Sequence, residues 1–98
     1  ETSQQCALRE LREETGLLAA PAQLTWLGKV RPNTAILTSC IDIYLAELPS
    51  NHPPHRRDRE AERIVKIPIK ALPSELAQGK LEDGFTLAAL SFYWATLR

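Results

Sequence analysis

The chain has 98 residues, of which 44% are hydrophobic and 24% charged, with 12 basic and 12 acidic side chains. This length allows one domain at most and buries about 60–65% of the surface that the unfolded chain exposes, so the core is expected to be small. A net charge of zero argues against a nucleic-acid binder held by bulk electrostatics, and no apolar run approaches the ~18 residues of a membrane helix. We therefore expect neither a nucleic acid nor a membrane as partner.

The first predicted element is a helix over residues 2–15. Its apolar residues gather on one side and its glutamates on another, which is helical spacing. Thr2 or Ser3 can cap its start, and Gly16 stands where a left-handed C-terminal cap is needed.

Three strands are predicted after this helix, near residues 24–30, 36–47 and 62–67. The first two are rich in Ile, Leu and aromatic residues, and the link between them carries Pro and Asn, which favour a turn. A Pro-rich, basic loop over residues 49–59 precedes the third strand, because repeated Pro cannot continue regular structure.

Two helices are predicted to end the chain, near residues 70–78 and 84–97. Gly79 ends the first, and Asp83 caps the second. The order helix, strand, strand, strand, helix, helix predicts a mixed α/β (α+β) domain with few strands for its sheet. Aromatic residues of the last helix are expected in the core rather than stacked on a ligand ring; they are Phe85, Phe92, Tyr93 and Trp94.

The two cysteines, Cys6 and Cys40, lack the close spacing of a zinc site or a disulfide scaffold. We expect both to be buried, reduced and small hydrophobic side chains. A cytoplasmic location follows from this reduced state.

Three carboxylates are predicted to lie close together on the first helix. Residues three and four apart are neighbours on a helix surface, so Glu10, Glu13 and Glu14 repel one another unless they have a partner. Mg²⁺ or Mn²⁺ would reverse that repulsion, because both take oxygen ligands. The alternative is a solvated helix face with Arg–Glu pairs, for which Arg9 and Arg12 are available.

The segment RELREETGL, residues 9–17, resembles the second half of the Nudix box. The family pattern is Gly, five residues, Glu, seven residues, then Arg-Glu-U-x-Glu-Glu-x-Gly-U, where U is a bulky aliphatic residue. Glu1 falls on the first Glu of this pattern, and all eight specified positions from Glu1 onward are met. The resemblance implies a Nudix-type αβα sandwich with a mixed sheet.

The same resemblance implies a hydrolase that cleaves the pyrophosphate linkage of a nucleoside diphosphate joined to another group. Carried over residue by residue, it makes Glu10 and Glu14 the ligands of Mg²⁺ or Mn²⁺, with Glu13 beside them. Such metals neutralise the diphosphate and make hydroxide available near neutral pH. Arg9 is expected to orient a carboxylate rather than to touch substrate, and the alternative for Arg9 is a plain helix ion pair.

Past the box, the chain is similar to the ADP-ribose and ADP-sugar pyrophosphatase branch of the family. In that branch two acidic residues, two apart, open a strand, and Glu60 and Glu62 match them. The resemblance implies that Glu60 is a general base and that Glu62 is a further metal ligand or a water-positioning group. The alternative is two exposed loop carboxylates paired with neighbouring arginines.

The Gly that begins the box pattern lies before residue 1, so we expect the chain to be an N-terminally truncated part of a Nudix domain. The leading expectation is hydrolysis of ADP-ribose or an ADP-sugar to AMP and a sugar phosphate by a homodimer. A second is a catalytically inactive module that acts in assembly or ligand binding. A third, a carboxylate-rich helix that binds basic proteins, does not explain Glu1 and Gly16.

Overall fold

The computed structural model describes residues 1–32, 40–49 and 66–97. It contains two compact units, Glu1–Ile64 and Val65–Arg98. The N-terminal unit combines a helix with a pair of strands, and the C-terminal unit is helical in the residues described.

Helix α1 spans Ser3–Thr15 and is capped at both ends. The Thr2 side chain accepts a hydrogen bond from the Gln5 backbone N–H at 3.1 Å, and the Gln5 side chain accepts one from the Thr2 backbone N–H at 2.8 Å. This reciprocal capping box satisfies two backbone donors that the helix leaves unpaired. Gly16 follows in the left-handed conformation, with φ 75°, and its N–H donates to the carbonyl of Arg12. Both predicted caps are present.

Two antiparallel strands follow α1, β1 over Leu24–Val30 and β2 over Ile41–Ala46. A short 3₁₀ turn, Pro21–Gln23, leads into β1. The strand predicted near residues 36–47 lies partly outside the described residues, and its described part is β2. Together the helices and the antiparallel pair confirm the α+β class.

A β-bulge interrupts the pairing of the two strands between Trp26 and Gly28. Trp26 pairs with Tyr44, and Lys29 pairs with Asp42. Between these two pairs β1 advances by three residues, whereas β2 advances by only two. Side chains alternate along a regular strand, and residues three apart would point to opposite faces. Because the bulge adds one residue to β1, the side chains of Trp26 and Lys29 lie on the same face of the strand pair.

The α1 helix meets the strands through polar contacts near its N-terminus. The Ser3 hydroxyl and the Tyr44 hydroxyl are hydrogen-bonded at 2.7 Å, and the Gln4 side-chain amide donates to the Pro21 carbonyl at 3.4 Å. The apolar side of α1 is half-buried, as in Leu8 and Leu11. Among the described residues no hydrophobic side chain is buried, because two strands and one helix offer little surface for a core.

The prediction that both cysteines are buried is wrong. Cys6 is half-buried and Cys40 is exposed. Cys40 directly precedes β2, and Cys6 lies on a helix that covers only two strands, so neither side chain is enclosed. Neither forms a disulfide in the structure.

The C-terminal unit contains helix α2, Leu72–Ala77, and helix α3, Gly84–Ala95. A 3₁₀ turn, Ile69–Ala71, leads into α2, and Gly79 beyond it has φ 71°. The Asp83 carboxylate caps α3 by accepting from the backbone N–H of Thr86 at 2.9 Å. The third predicted strand, 62–67, falls mostly outside the described residues; its last two residues, 66 and 67, are not in a strand.

The expectation that the aromatic residues of α3 form a buried core is wrong. Phe85 is 39% exposed, and Phe92, Tyr93 and Trp94 are half-buried. Apolar side chains surround the whole helix, so some of them face solvent whichever side of α3 is covered.

Candidate active site

The guanidinium of Arg9 joins two carboxylates at the start and the end of α1. Its Nε and Nη2 donate to the two carboxylate oxygens of Glu1 at 2.9 and 3.0 Å, and its Nη1 donates to Glu13 at 2.9 Å. We call these three residues the Arg9 cluster. The fork on Glu1 is the bidentate geometry in which Arg fixes a carboxylate in orientation as well as position. Arg9 therefore contacts two of the glutamates that the sequence singled out.

The electrostatics of the Arg9 cluster follow from these contacts. The hydrogen bonds from Arg9 lower the pKa of Glu1 below its usual range, because they stabilise the ionised carboxylate. All three side chains are between 42% and 47% exposed. Solvent screening at such exposure makes the ion pairs weak contributors to stability. Their clearer effect is to hold the carboxylates in place.

Glu10 accepts a hydrogen bond from the thiol of Cys6, one turn earlier on α1, at 3.1 Å. This bond to a carboxylate raises the pKa of Cys6, with a further contribution from desolvation. The thiol therefore stays protonated near neutral pH and acts as a donor to Glu10. Glu10 itself is exposed.

Glu14 is exposed, and within the part of the chain that the structure describes its carboxylate has no hydrogen bond or ion pair. It follows Glu10 by four residues, so the two carboxylates are neighbours on the helix surface. Glu13 differs because the Arg9 guanidinium donates hydrogen bonds to both of its carboxylate oxygens. The predicted trio thus consists of one carboxylate paired with arginine, one bonded to a thiol and one open to solvent.

The donors on α1 have the chemistry that a hard cation requires, since carboxylate oxygens are the ligands of Mg²⁺ and Mn²⁺. Among residues 1–32, 40–49 and 66–97, no group of three or more His, Cys, Asp or Glu side chains is arranged to hold a metal ion. Within the described ranges, Glu10 and Glu14 therefore do not belong to a complete ligand set. The other proposed acidic residues, Glu60 and Glu62, lie outside the described residues.

A second polar group, which sequence reasoning missed, lies on the strands. The Asp42 carboxylate oxygen Oδ1 accepts hydrogen bonds from the Trp26 indole N–H and from the Lys29 ammonium, both at 3.0 Å. We call Trp26, Lys29 and Asp42 the Trp26 cluster. The indole bond is the main cause that lowers the pKa of Asp42, followed by the bond from Lys29. The only sequence signal was Gly28, because a glycine inside a strand often marks a bulge.

A membrane-spanning element is not found in the described part of the chain, where every helix is too short or too polar to cross a bilayer.

Comparison with known proteins gives one match. A family model described as NUDIX domain matches residues 1–88. No curated protein and no solved structure matches the chain significantly. The matched range contains α1, both strands, α2 and the start of α3.

Proposed function

Because the chain belongs to the Nudix domain family, whose members hydrolyse nucleoside diphosphate derivatives and generally use divalent metal ions, we propose that it is a Mg²⁺- or Mn²⁺-dependent pyrophosphohydrolase. The proposed substrate is ADP-ribose or an ADP-sugar. Water attacks one phosphorus of the diphosphate, the bridging P–O bond breaks, and AMP and a sugar phosphate are released.

The observation that carries the proposal is the arrangement of the box glutamates on α1. Glu10 and Glu14 present carboxylates one turn apart on an exposed stretch of the helix, while Arg9 holds Glu13 and Glu1. A solvated helix with Arg–Glu pairs explains Glu13, but it leaves Glu14 without a partner among the described residues. A cation ligand role accounts for that exposed charge.

In the proposed site Glu10 and Glu14 bind the metal ion, with Glu13 and Glu62 as further ligands. The bound ion supplies charge neutralisation of the diphosphate and lowers the pKa of water. Arg9 orients the Glu13 carboxylate, and Glu60 is proposed to accept the proton of the attacking water. The resemblance to the ADP-ribose branch supports the roles of Glu60 and Glu62.

The test is the Glu14→Gln variant, which keeps the size of the side chain and removes its charge. We expect AMP release from ADP-ribose to fall at least about a hundredfold, because transition-state charge stabilisation by a metal is worth several kcal/mol. The matched control is Glu47→Gln, an equal change at an exposed residue of the same unit. Equal activity of the two variants and the unmodified protein would rule out the metal-ligand role.

We also propose that the active form is a homodimer. Large apolar side chains are exposed on both units, among them Leu18 at 46%, Ile69 at 60% and Leu97 at 58%. Covering large exposed apolar side chains favours association. Light scattering after size exclusion should give twice the 11.0 kDa mass of the chain, and a monomer at working concentration would contradict the dimer.

The same exposed apolar side chains favour the second candidate, an inactive module that acts in assembly or ligand binding. The two candidates differ in turnover. A dimer that releases no AMP from ADP-ribose with Mg²⁺ or Mn²⁺ would support the inactive module, whereas release that requires Glu14 would exclude it.

A further inference from the structure

The Trp26 cluster holds a large aromatic ring at the surface. Trp26 is 52% exposed, while its indole N–H is fixed by the Asp42 carboxylate at 3.0 Å. A single exposed hydrophobic residue is common and needs no explanation. An exposed indole whose N–H is already bonded to the protein is different, because the ring is oriented before any ligand arrives. Pre-orientation lowers the entropic cost of binding a flat partner.

The surroundings of this ring favour a particular kind of partner. The bulge places the Lys29 ammonium on the same face of the strands as Trp26, and Lys29 is 57% exposed. One oxygen of Asp42 accepts from both groups, so the indole and a cation lie side by side. A nucleobase carrying a phosphorylated sugar fits this pair, since every base has a face that stacks on an aromatic ring.

The cluster is connected to the carboxylates of α1 through one cross-strand pair. Trp26 pairs with Tyr44, and the Tyr44 hydroxyl is hydrogen-bonded to Ser3 in the first turn of α1. At 3.6 residues per turn, positions 7 and 11 residues after Ser3 lie within about 20° of the direction of Ser3 around the helix. Those positions are Glu10 and Glu14, so both carboxylates point in nearly the same direction around α1 as Ser3.

The distance along the helix also suits a nucleotide. Seven residues from Ser3 to Glu10 correspond to a rise of about 10 Å. This rise, counted from the Ser3–Tyr44 contact rather than from the Trp26 ring, is of the same order as the span of a nucleoside diphosphate from its base to its phosphates.

We propose that Trp26 is the stacking surface for the base of the substrate, with Asp42 as the positioning residue that holds the indole. The inference rests on the proposed function, because it places the base at the strands while the phosphates reach the carboxylates of α1. Specificity for a nucleoside over a simple sugar diphosphate then comes from this ring.

The first experiment measures binding alone and does not depend on turnover. Trp26 and Trp94 are the only tryptophans, so Trp94→Phe leaves Trp26 as the only indole reporter. Titration with AMP should quench its fluorescence saturably, whereas ribose 5-phosphate, which lacks a base, should not. No quenching by AMP, or equal quenching by both compounds, would overturn the stacking role even if the protein proves to be an active hydrolase.

The second experiment compares two replacements of the ring. Trp26→Leu keeps an apolar side chain without an aromatic face, and we expect it to raise KM for ADP-ribose at least about fivefold with kcat nearly unchanged. Trp26→Phe keeps a stacking face and should change KM less than about threefold. Equal KM values for the two variants would contradict stacking, and the urea midpoint of each variant shows whether the strands still fold.

Asp42→Asn tests the positioning role separately. The amide keeps an acceptor for the indole N–H but loses the charge that attracts Lys29. We expect KM for ADP-ribose to rise by more than in Trp26→Phe and by less than in Trp26→Leu. We also expect the fluorescence emission maximum of Trp26 to shift before any ligand is added. An unchanged emission maximum and an unchanged KM would show that Asp42 does not hold the ring.

Discussion

The two units of the chain differ in the range of their polar contacts. In the N-terminal unit, described side chains join elements far apart in sequence, as in Ser3–Tyr44 and Trp26–Asp42. In the described part of the C-terminal unit, the polar side-chain contacts are local, as in Glu75–Lys80 and Asp83–Thr86. Substitutions in the first unit should therefore alter geometry at a distance, whereas substitutions in the second should act within one helical turn.

The largest effect on activity is expected from Arg9→Lys, in the N-terminal unit. Lysine keeps the charge but has no planar fork, so it cannot hold Glu1 bidentately and reach Glu13 as well. Residues that orient metal ligands typically contribute 10- to 100-fold to affinity or activity, and we expect that loss in kcat/KM for AMP release. The control is Arg12→Lys, because Arg12 lies on the same helix outside the cluster. Similar activity of the two variants would show that Arg9 is a plain surface charge.

The next largest effects are expected at the two left-handed glycines, one in each unit. Gly16 has φ 75° and Gly79 has φ 71°, and a side chain in this conformation costs about 1–2 kcal/mol. Gly16 is buried, whereas a Cβ at Gly79 would meet open space. Gly16→Ala should therefore lower the free energy of unfolding by about 2 kcal/mol and Gly79→Ala by about 1 kcal/mol. Urea unfolding followed by circular dichroism measures both, and the reverse order would contradict the role of burial.

The features that the sequence predicted well are those that depend on neighbouring residues. The Thr2, Gly16 and Asp83 caps each depend on one residue beside the helix end, through the side chain in Thr2 and Asp83 and through the left-handed backbone in Gly16. Local rules also offered Arg–Glu pairs on the first helix as the alternative to a metal site, and the structure contains one such pair, Arg9 with Glu13. Glu60 and Glu62 lie outside the described residues, and their roles stay predictions.

The features that the sequence did not predict depend on contacts between elements. Nothing local to Trp26 indicates that its N–H bonds a carboxylate 16 residues away, because that contact requires both the strand pairing and the bulge. The burial of Cys6 and Cys40 was wrongly predicted for the same reason. Composition gives the tendency of a side chain to be buried, but the amount of surface that covers it is a property of the assembled unit.

A matched pair of cap substitutions separates stability from activity. Thr2→Ala and Asp83→Ala each remove a side chain that accepts from a helix N–H, and each should cost about 1 kcal/mol. For a domain of this size that is a fall in Tm of about 4–8 °C. Thr2 lies between Glu1 and α1, so its loss should also reduce AMP release, whereas Asp83→Ala should leave turnover unchanged. Differential scanning calorimetry and the AMP assay test this, and an equal effect on turnover would contradict the division between units.

The smallest effect is expected from pH, and it should appear in the N-terminal unit. The carboxylates of Glu1 and Asp42 have pKa values below their usual range. The unfolded chain therefore binds protons more readily at these two carboxylates than the folded chain does. Their contribution to the free energy of unfolding is complete above their ordinary pKa values of about 4.3 and 3.9. It is lost as pH falls through the lower pKa values of the folded state. The Lys29 pKa is raised, chiefly by its hydrogen bond to Asp42, so its stabilisation is present below about pH 10.4 and is lost as pH rises through the folded value.

Asp42→Asn gives the sharpest test of this dependence, because one substitution removes a carboxylate titration and the partner of Lys29. The urea midpoint should depend less on pH in the variant than in the unmodified protein at both the acid and the alkaline end, while the Glu1 contribution at acid pH remains. The side chains are exposed and screened, so the change in midpoint should be smaller than that of a lost cap. A change at the acid end alone would mean that the Lys29–Asp42 contact does not persist in solution, and the orientation of Trp26 would then rest on the indole hydrogen bond by itself.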